Sequence, residues 1–363
     1  MRRAFSVDIN YKICYNISRE SEEKMEDLMN ATSLFDVLNE FKDKENFEKL
    51  RDIVISNLPA DAKVEMEGII RGELLPSLTS DVVAKKIFSP SEHPERVAWL
   101  LRKITLDNSI SIDGDMSNEG YSQSTSAKKM IFDIPVRLLD KRWADIEFQV
   151  AAQDFIIERA ELYSSDLLLV EYSAAVNQKK GDLDFTDVHG TIVIVFMRKS
   201  PEPFASFKSN RYIHRFDTMA SDSGLVHNPL RKMYFVQLDK AMEQLLEGID
   251  AEGDYDFQLL LAMMADINNQ VVKEKIAEHP DLKKIYQEVS LYSQSKEVQN
   301  MLLAEKYVVA DLNAVKSYER KKGIEEGEEK GIEKGRNERD FELAAKWRSQ
   351  GKSEEEIKAL LLD

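Results

Sequence analysis

Apolar residues fall on helical spacing through the first part of the chain, with Phe35, Leu38 and Phe41 followed by Phe47, Leu50, Val54 and Leu58. Pro59 and Pro76 punctuate this region, so a helical extension is predicted over residues 1–76. Two short helices are expected next, DVVAKKIF (81–88) and PERVAWLLRKI (94–104), with SPSEHP breaking them. The stretch NSISIDGDMSNEGYSQSTSA (108–127) is polar and reads as a loop. The pattern then changes period. In FDIPVRLLDKRWADIEFQV (132–150), Phe132, Ile134 and Val136 alternate with Asp133 and Arg137, and Ile146, Phe148 and Val150 alternate with Asp145, Glu147 and Gln149. Two strands joined by a short turn follow from this alternation.

A long helix is expected across residues 154–175, with Phe155, Ile156, Ala160 and Tyr163 as its stripe. TIVIVFM (191–197) is a continuous β-branched run, the mark of a strand buried on both faces. RYIHRF (211–216) and KMYFVQL (232–238) are further strands. The remainder reads as helical: residues 240–249, 255–267, 271–279 and 284–309, then a charged tail. In that tail Gly323, Gly327, Gly331 and Gly335 recur every fourth residue, at a cost of about 1 kcal/mol each relative to Ala in a helix. Close helix pairing would offset the cost; a frayed linker is the other reading. Gly351 stops the tail helix, and Ser353 with Glu356 forms a capping-box pattern for a last one. The expected fold is therefore α+β, a small mixed sheet with helices packed on it. Its expected divisions are a helical N-terminal extension (1–76), a mixed core (77–240), an all-helical region (241–310) and a charged Gly-repeat segment with its terminal helix (311–363).

Composition narrows the classes. The chain has 363 residues, 43% of them hydrophobic, enough for a sizeable core. Its single cysteine, Cys14, excludes an internal disulfide framework and suits a reducing compartment. No CxxC pair, His-rich tract or GxxxxGK[ST] loop occurs, which argues against structural zinc and a P-loop nucleotidase. No apolar run of about 18 residues or export signal is found, so a cytoplasmic protein with no membrane partner is expected. The net charge of −16 lowers the expectation of nucleic-acid binding, although the acid concentrates in segments near both ends, such as SRESEEKMED and GIEEGEEKGIEKG.

The hairpin carries the candidate chemistry. Its polar faces coincide if the strands pair, which would bring Asp133 near Glu147. A solvated face is the ordinary explanation for such acids. Two carboxylates supplying oxygen at one point would instead suit a hard cation, Mg2+ or Mn2+, which activates water for phosphodiester hydrolysis. Gln149 would then orient that water through its side-chain carbonyl.

The order D-x13-E-x-Q resembles the PD-(D/E)XK nuclease superfamily, and more narrowly the bacterial recombination-promoting nuclease and putative transposase family, where E-x-K commonly reads E-x-Q. SDVVAKKIF (80–88), ERAELYSSDLL (158–168), KKGDLDFTDVHGTIVIVF (179–196) and FVQLDK (235–240) are similar to successive segments of that family, as are the Glu/Gly/Lys-rich tail and the last helix. The resemblance covers roughly residues 77 to 363. It implies a restriction-endonuclease-like core and a metal-dependent DNA endonuclease of recombination or mobile-element biology in a bacterial cytoplasm. Asp133 and Glu147 would be metal ligands, with the backbone carbonyl of Phe148 a third and Gln149 at the usual lysine position. Asp81 would support the metal or its water, its competing role being a helix N-cap. Arg159 and Tyr163 would contact phosphate, and Lys128 and Lys129 the nucleic-acid backbone.

Two features depart from the expected pattern. Pro135 removes a ladder donor, which implies an edge position or a bulge. Gln149 lacks the positive charge of lysine. Lys208, Arg211, His214 and Arg215 would form a strand meeting DNA or an ordinary charged face. The competing functional readings are a catalytically inactive nuclease fold that oligomerises through its C-terminal helices, as a coiled coil, and a DNA-binding protein without cleavage.

Overall fold

The computed structural model describes residues 51–362 apart from 53, 116–132, 151, 153–154, 180–182, 217 and 220–221. The chain divides into two compact units, one up to Glu305 and one from Lys306. Residues 1–50 of the expected N-terminal extension lie outside the described residues, as do Phe132, Lys128 and Lys129.

The first unit opens with α1 (Ala60–Arg71), stopped by Gly72 in the left-handed conformation at φ 72°. Next come α2 (Asp81–Ile87) and α3 (Pro94–Thr105), the latter with Pro at its first turn, where no backbone donor is missed. The strands are β1 (Ile112–Asp115), β2 (Ile134–Leu138), β3 (Trp143–Gln149), β4 (Thr191–Met197), β5 (Ile213–Phe216), a two-residue pair β6 (Thr218–Met219) and β7 (Val226–His227), and β8 (Arg231–Gln237). A six-stranded sheet runs β1-β2-β3-β4-β8-β5. The β3–β4 and β4–β8 pairs are parallel and the others antiparallel, so the sheet is mixed, as expected.

The long α4 (Ile156–Lys179) crosses between β3 and β4 in sequence, the connection a parallel pair requires. It packs one face of the sheet: Ile156, Ala160 and Leu167 meet Val193, Val195, Met197, Met233 and Phe235. The other face is closed by aromatics. Phe148 stacks on Phe196 at 5.4 Å and on Phe88, which follows α2, at 6.1 Å. Every residue of β4 is buried, in keeping with its unbroken apolar sequence.

Two local expectations change. The polar stretch 108–127 contains β1, whose sequence IDGD has no apolar alternation; it is a strand because it pairs with β2. Pro135 marks neither an edge nor a bulge. β2 lies between β1 and β3, and the irregularity falls in β1 between Ile112 and Gly114. The last β1–β2 pair is Asp115 with Val136, one residue short of Pro135. The missing N–H therefore falls beyond the described β1 ladder.

Five further helices follow in the unit: α5 (Glu202–Ala205) beside the sheet, then α6 (Leu238–Glu247), α7 (Tyr255–Ala265), α8 (Gln270–Ala277) and α9 (Pro280–Tyr292). The segment 284–309, read as one helix, is two. α9 stops at Ser293, whose hydroxyl donates to the Ser290 carbonyl, and α10 starts at Lys296.

α10 runs from Lys296 to Ser349, 54 residues, and carries most of the second unit. Gly351 at φ 83° ends the turn after it, and α11 (Glu354–Leu362) follows. The Ser353 N–H donates to Glu356 Oε2 at 2.8 Å and the Glu356 N–H to Ser353 Oγ at 3.3 Å, the reciprocal cap its sequence signalled. The four glycines of the repeat are continuous helix, and a Cβ at any of them would meet nothing within 4 Å. Replacing all four by alanine is expected to raise the thermal stability of this helix, with about 1 kcal/mol gained per site. Far-UV circular dichroism through a melt checks it; unchanged or lower helicity would show that the glycines are needed.

Candidate active site

Antiparallel register places Ile134 opposite Ile146 and Pro135 opposite Asp145. Alternation then puts Asp133, Arg137, Trp143, Asp145, Glu147 and Gln149 on one side, the side that α4 covers. This face is not solvated. β3 has neighbours on both edges and covered faces on both sides, so Asp145 is 0% exposed, Glu147 4% and Gln149 9%. Buried acids in such a position call for partners or protons.

Asp133 and Glu147 are cross-linked through the backbone. The Asp133 N–H donates to Glu147 Oε1 at 3.2 Å, and the Phe148 N–H donates to Asp133 Oδ2 at 2.9 Å. From α4, Arg159 reaches the same place. Its Nη2 donates to Glu147 Oε2 at 3.3 Å and to the Tyr163 hydroxyl at 2.8 Å, while Nη1 lies 3.5 Å from Gln149 Oε1. Residues 159 and 163 share a helix face by their spacing of four, so one turn of α4 supplies both. The guanidinium also sits over the Tyr163 ring, 4.9 Å from its centre.

Asp145 differs from its neighbours. Neither of its carboxylate oxygens has a hydrogen-bond partner. The Glu147 carboxyl and the N–H groups of Ile134 and Ile146 lie near enough to temper its charge. None of them makes a geometrically sound bond to it. Burial, opposed by those neighbours and reinforced by Asp133, raises its pKa to about 7. Glu147 is raised well above the carboxylate range by burial and by Asp145 and Asp133. Asp133 is also raised, by burial and then by Asp81, against the pull of the Phe148 N–H, Lys85 and Arg159. Three acids in one buried patch thus hold protons more tightly than usual, because each additional negative charge costs more than the last.

Asp81 is near enough to act on Asp133, but it is not an N-cap. It is the first residue of α2, with Ser80 at the cap position. The capping is done from far along the chain: Glu305 accepts the Asp81 N–H at 3.0 Å and the Ser80 hydroxyl at 2.5 Å. The Asp81 carboxylate pairs instead with Lys85 at 2.8 Å. Lys85 was not singled out from sequence; its spacing of four from Asp81 on a helix was the available signal.

Arg211 and Arg215 are not brought to this patch. They belong to the opposite end of the sheet, where Arg215 lies on β5 and Arg211 just before it. Arg211 pairs with Glu252 at 2.7 Å, and Arg215 donates to the Ile104 carbonyl at 2.7 Å. His214 meets Gln237 at 2.8 Å.

The donors fit a hard cation by type, since all are carboxylate oxygens and, among the described residues, neither thiol nor imidazole is present in the patch. The partnerless oxygens of Asp145 and the crowded charge of the three acids are what a cation would relieve. Among the described residues, no three His, Cys, Asp or Glu side chains stand together at ligand spacing, with Asp133 and Glu147 each turned onto a backbone N–H.

A mixed sheet with acids on its β2–β3 hairpin, covered on that side by the long α4, fits a PD-(D/E)XK nuclease core. The sequence model of the PD-(D/E)XK nuclease family transposases matches residues 78–319, more than half of the chain, and the chain belongs to this family. No curated protein and no solved structure matches it. No helix among the described residues is long and apolar enough to cross a membrane.

Proposed function

We propose that the protein is a divalent-cation-dependent endonuclease acting on DNA, in recombination or mobile-element biology. The observation that carries this reading is the meeting of Asp133 and Glu147 across the β2–β3 pair, beside a guanidinium from α4. Asp133 and Glu147 would hold Mg2+ or Mn2+, with the Phe148 carbonyl as a third donor and Asp81 as a support acting through its proximity to Asp133. The bound cation would polarise a phosphate and lower the pKa of a water. Gln149 orients that water or a phosphate oxygen through its amide, and Tyr163 steadies Arg159. Burial on both faces keeps bulk water from the acids and strengthens every charge interaction among them.

The test is cleavage of supercoiled plasmid with Mg2+ or Mn2+, together with calorimetric titration of either metal alone. Wild-type protein is expected to nick the plasmid and bind metal, and Asp133→Ala and Glu147→Ala to lose both. Absence of cleavage and of metal binding in the wild type would replace this reading by a nuclease fold that serves as an interaction scaffold. Equal cleavage by wild type and both variants would show that the chemistry lies elsewhere.

A further inference from the structure

Hydrolysis of a phosphodiester puts extra negative charge on the phosphoryl oxygens as water adds and the ester bond breaks. A cation held beside the acids is the usual means of meeting that charge. Strand β3 does not provide one, because position 149 is an amide. The patch nonetheless contains a cation. Arg159 enters from α4, and its two terminal nitrogens lie against Gln149 and Glu147 at 3.5 and 3.3 Å.

We propose that Arg159 supplies the transition-state positive charge of this site, standing in space where a lysine at position 149 would place its ammonium. The inference rests on the proposed nuclease reading and assigns one of its parts. Three observations support it. Arg159 contacts both Glu147 and Gln149 through its two terminal nitrogens. Its bonds to them are long, whereas its bond to Tyr163 is short at 2.8 Å, so the guanidinium is steadied from behind and only loosely engaged in front. The Arg159 side chain is 35% exposed although the Glu147 side chain it contacts is 5% exposed, so Arg159 links the buried acids to the protein surface. Burial works against its charge, but Tyr163, Glu147 and Asp133 more than hold it protonated.

Lys85 is a rival cation: it acts on Asp133 from α2, but its ammonium is committed to Asp81 at 2.8 Å. A guanidinium also has a property an ammonium lacks: its planar fork can bond two phosphate oxygens at once.

The experiment compares wild type, Glu147→Ala, Arg159→Gln, Arg159→Lys, Lys85→Gln and the double variant Arg159→Gln/Gln149→Lys, each first shown to melt near the wild-type temperature. Single-turnover cleavage of one DNA duplex with Mg2+ is read beside the Kd for that duplex in EDTA. Arg159→Gln is expected to cut about 100-fold more slowly, with Kd changed less than about threefold. Arg159→Lys is expected to fall between, Lys85→Gln to stay within about threefold of wild type, and the double variant to regain at least about tenfold over Arg159→Gln. Arg159→Gln cutting at the wild-type rate would overturn the inference, as would a loss of affinity equal to the loss of rate, which marks a mere phosphate tether. A double variant no faster than Arg159→Gln, or a loss in Lys85→Gln matching that of Arg159→Gln, would overturn it too. Wild-type cleavage abolished in Glu147→Ala is the control for the nuclease reading. Failure of that control overturns the reading and the inference together, and the other failures overturn the inference alone.

Discussion

Asp145→Asn is expected to stabilise the metal-free protein at pH 8 by roughly 2–4 kcal/mol. The wild-type carboxyl is fully buried and both of its oxygens lack partners, and its pKa is raised from 3.8 to about 7. A folded-state pKa above the unfolded one means that the native form holds the proton more tightly. Wild-type stability from this group is therefore fully present below about pH 4 and is lost as pH rises through 7. Asparagine has no charge to bury. The advantage of the variant should thus shrink toward zero between pH 7 and pH 4. A ceiling of about 4 kcal/mol follows from the pKa difference, and sharing of protons with Glu147 and Asp133 lowers it. Urea unfolding in EDTA at pH 4.5 and pH 8 measures the effect. A difference that does not change with pH would show that charge burial at Asp145 is not its origin.

A second large effect is expected at the other end of β3. Glu171 on α4 is 2% exposed and serves as a shared acceptor. Its Oε2 takes bonds from Arg137 Nη1 at 2.8 Å and Trp143 Nε1 at 2.7 Å. Its Oε1 takes the His189 N–H at 3.2 Å and meets His189 Nδ1 at 2.8 Å. The Arg137 guanidinium lies 4.3 Å from the Trp143 ring centre, so the cation is held between ring and carboxylate. Glu171→Ala strands a mostly buried guanidinium and an indole N–H, and is expected to cost about 3–5 kcal/mol. Glu171→Gln keeps an acceptor oxygen and should cost only about 1–3 kcal/mol. The midpoint of urea unfolding, with an unchanged slope, reads both. A Glu171→Ala variant as stable as wild type would mean that the cluster merely breaks even against solvated groups.

The sequence made some parts of this architecture readable and concealed others for identifiable reasons. TIVIVFM announced a strand buried on both faces because six consecutive apolar residues leave such a short element no side to turn to water, and all seven of its residues are buried. The acids of β3 were placed on one side by alternation alone. Alternation cannot say what covers a side, and a solvated face and a helix-covered one share the same pattern. α4 decides it, and its own sequence gave little help: Phe155, Leu162 and Leu169 are exposed while Ser164 and Glu171 are buried. β1 was unreadable because IDGD becomes a strand only through its neighbour. The cap of α2 was unreadable for a different reason. Ser80 and Asp81 are ordinary capping residues, and nothing nearby signals that Glu305 satisfies the N–H instead. The candidate cluster divides in the same way: Asp133, Glu147 and Gln149 follow from strand parity, while the position of Arg159 over them depends on how α4 docks.

That distant cap also sets an order of events during synthesis. A chain leaving the ribosome has exposed Asp81, Asp133, Glu147 and Arg159 long before β8 exists to close the second edge of β4. The acceptor that fixes the start of α2 is 224 residues further on than Asp81. At the usual elongation rate of about 5–20 residues per second, many seconds separate the emergence of the acids from that of Glu305. Over that interval the nascent protein carries its charged hairpin without the contact that anchors the start of α2. The anchoring of α2 thus waits for Glu305, and a truncation before that residue releases a fragment without this contact.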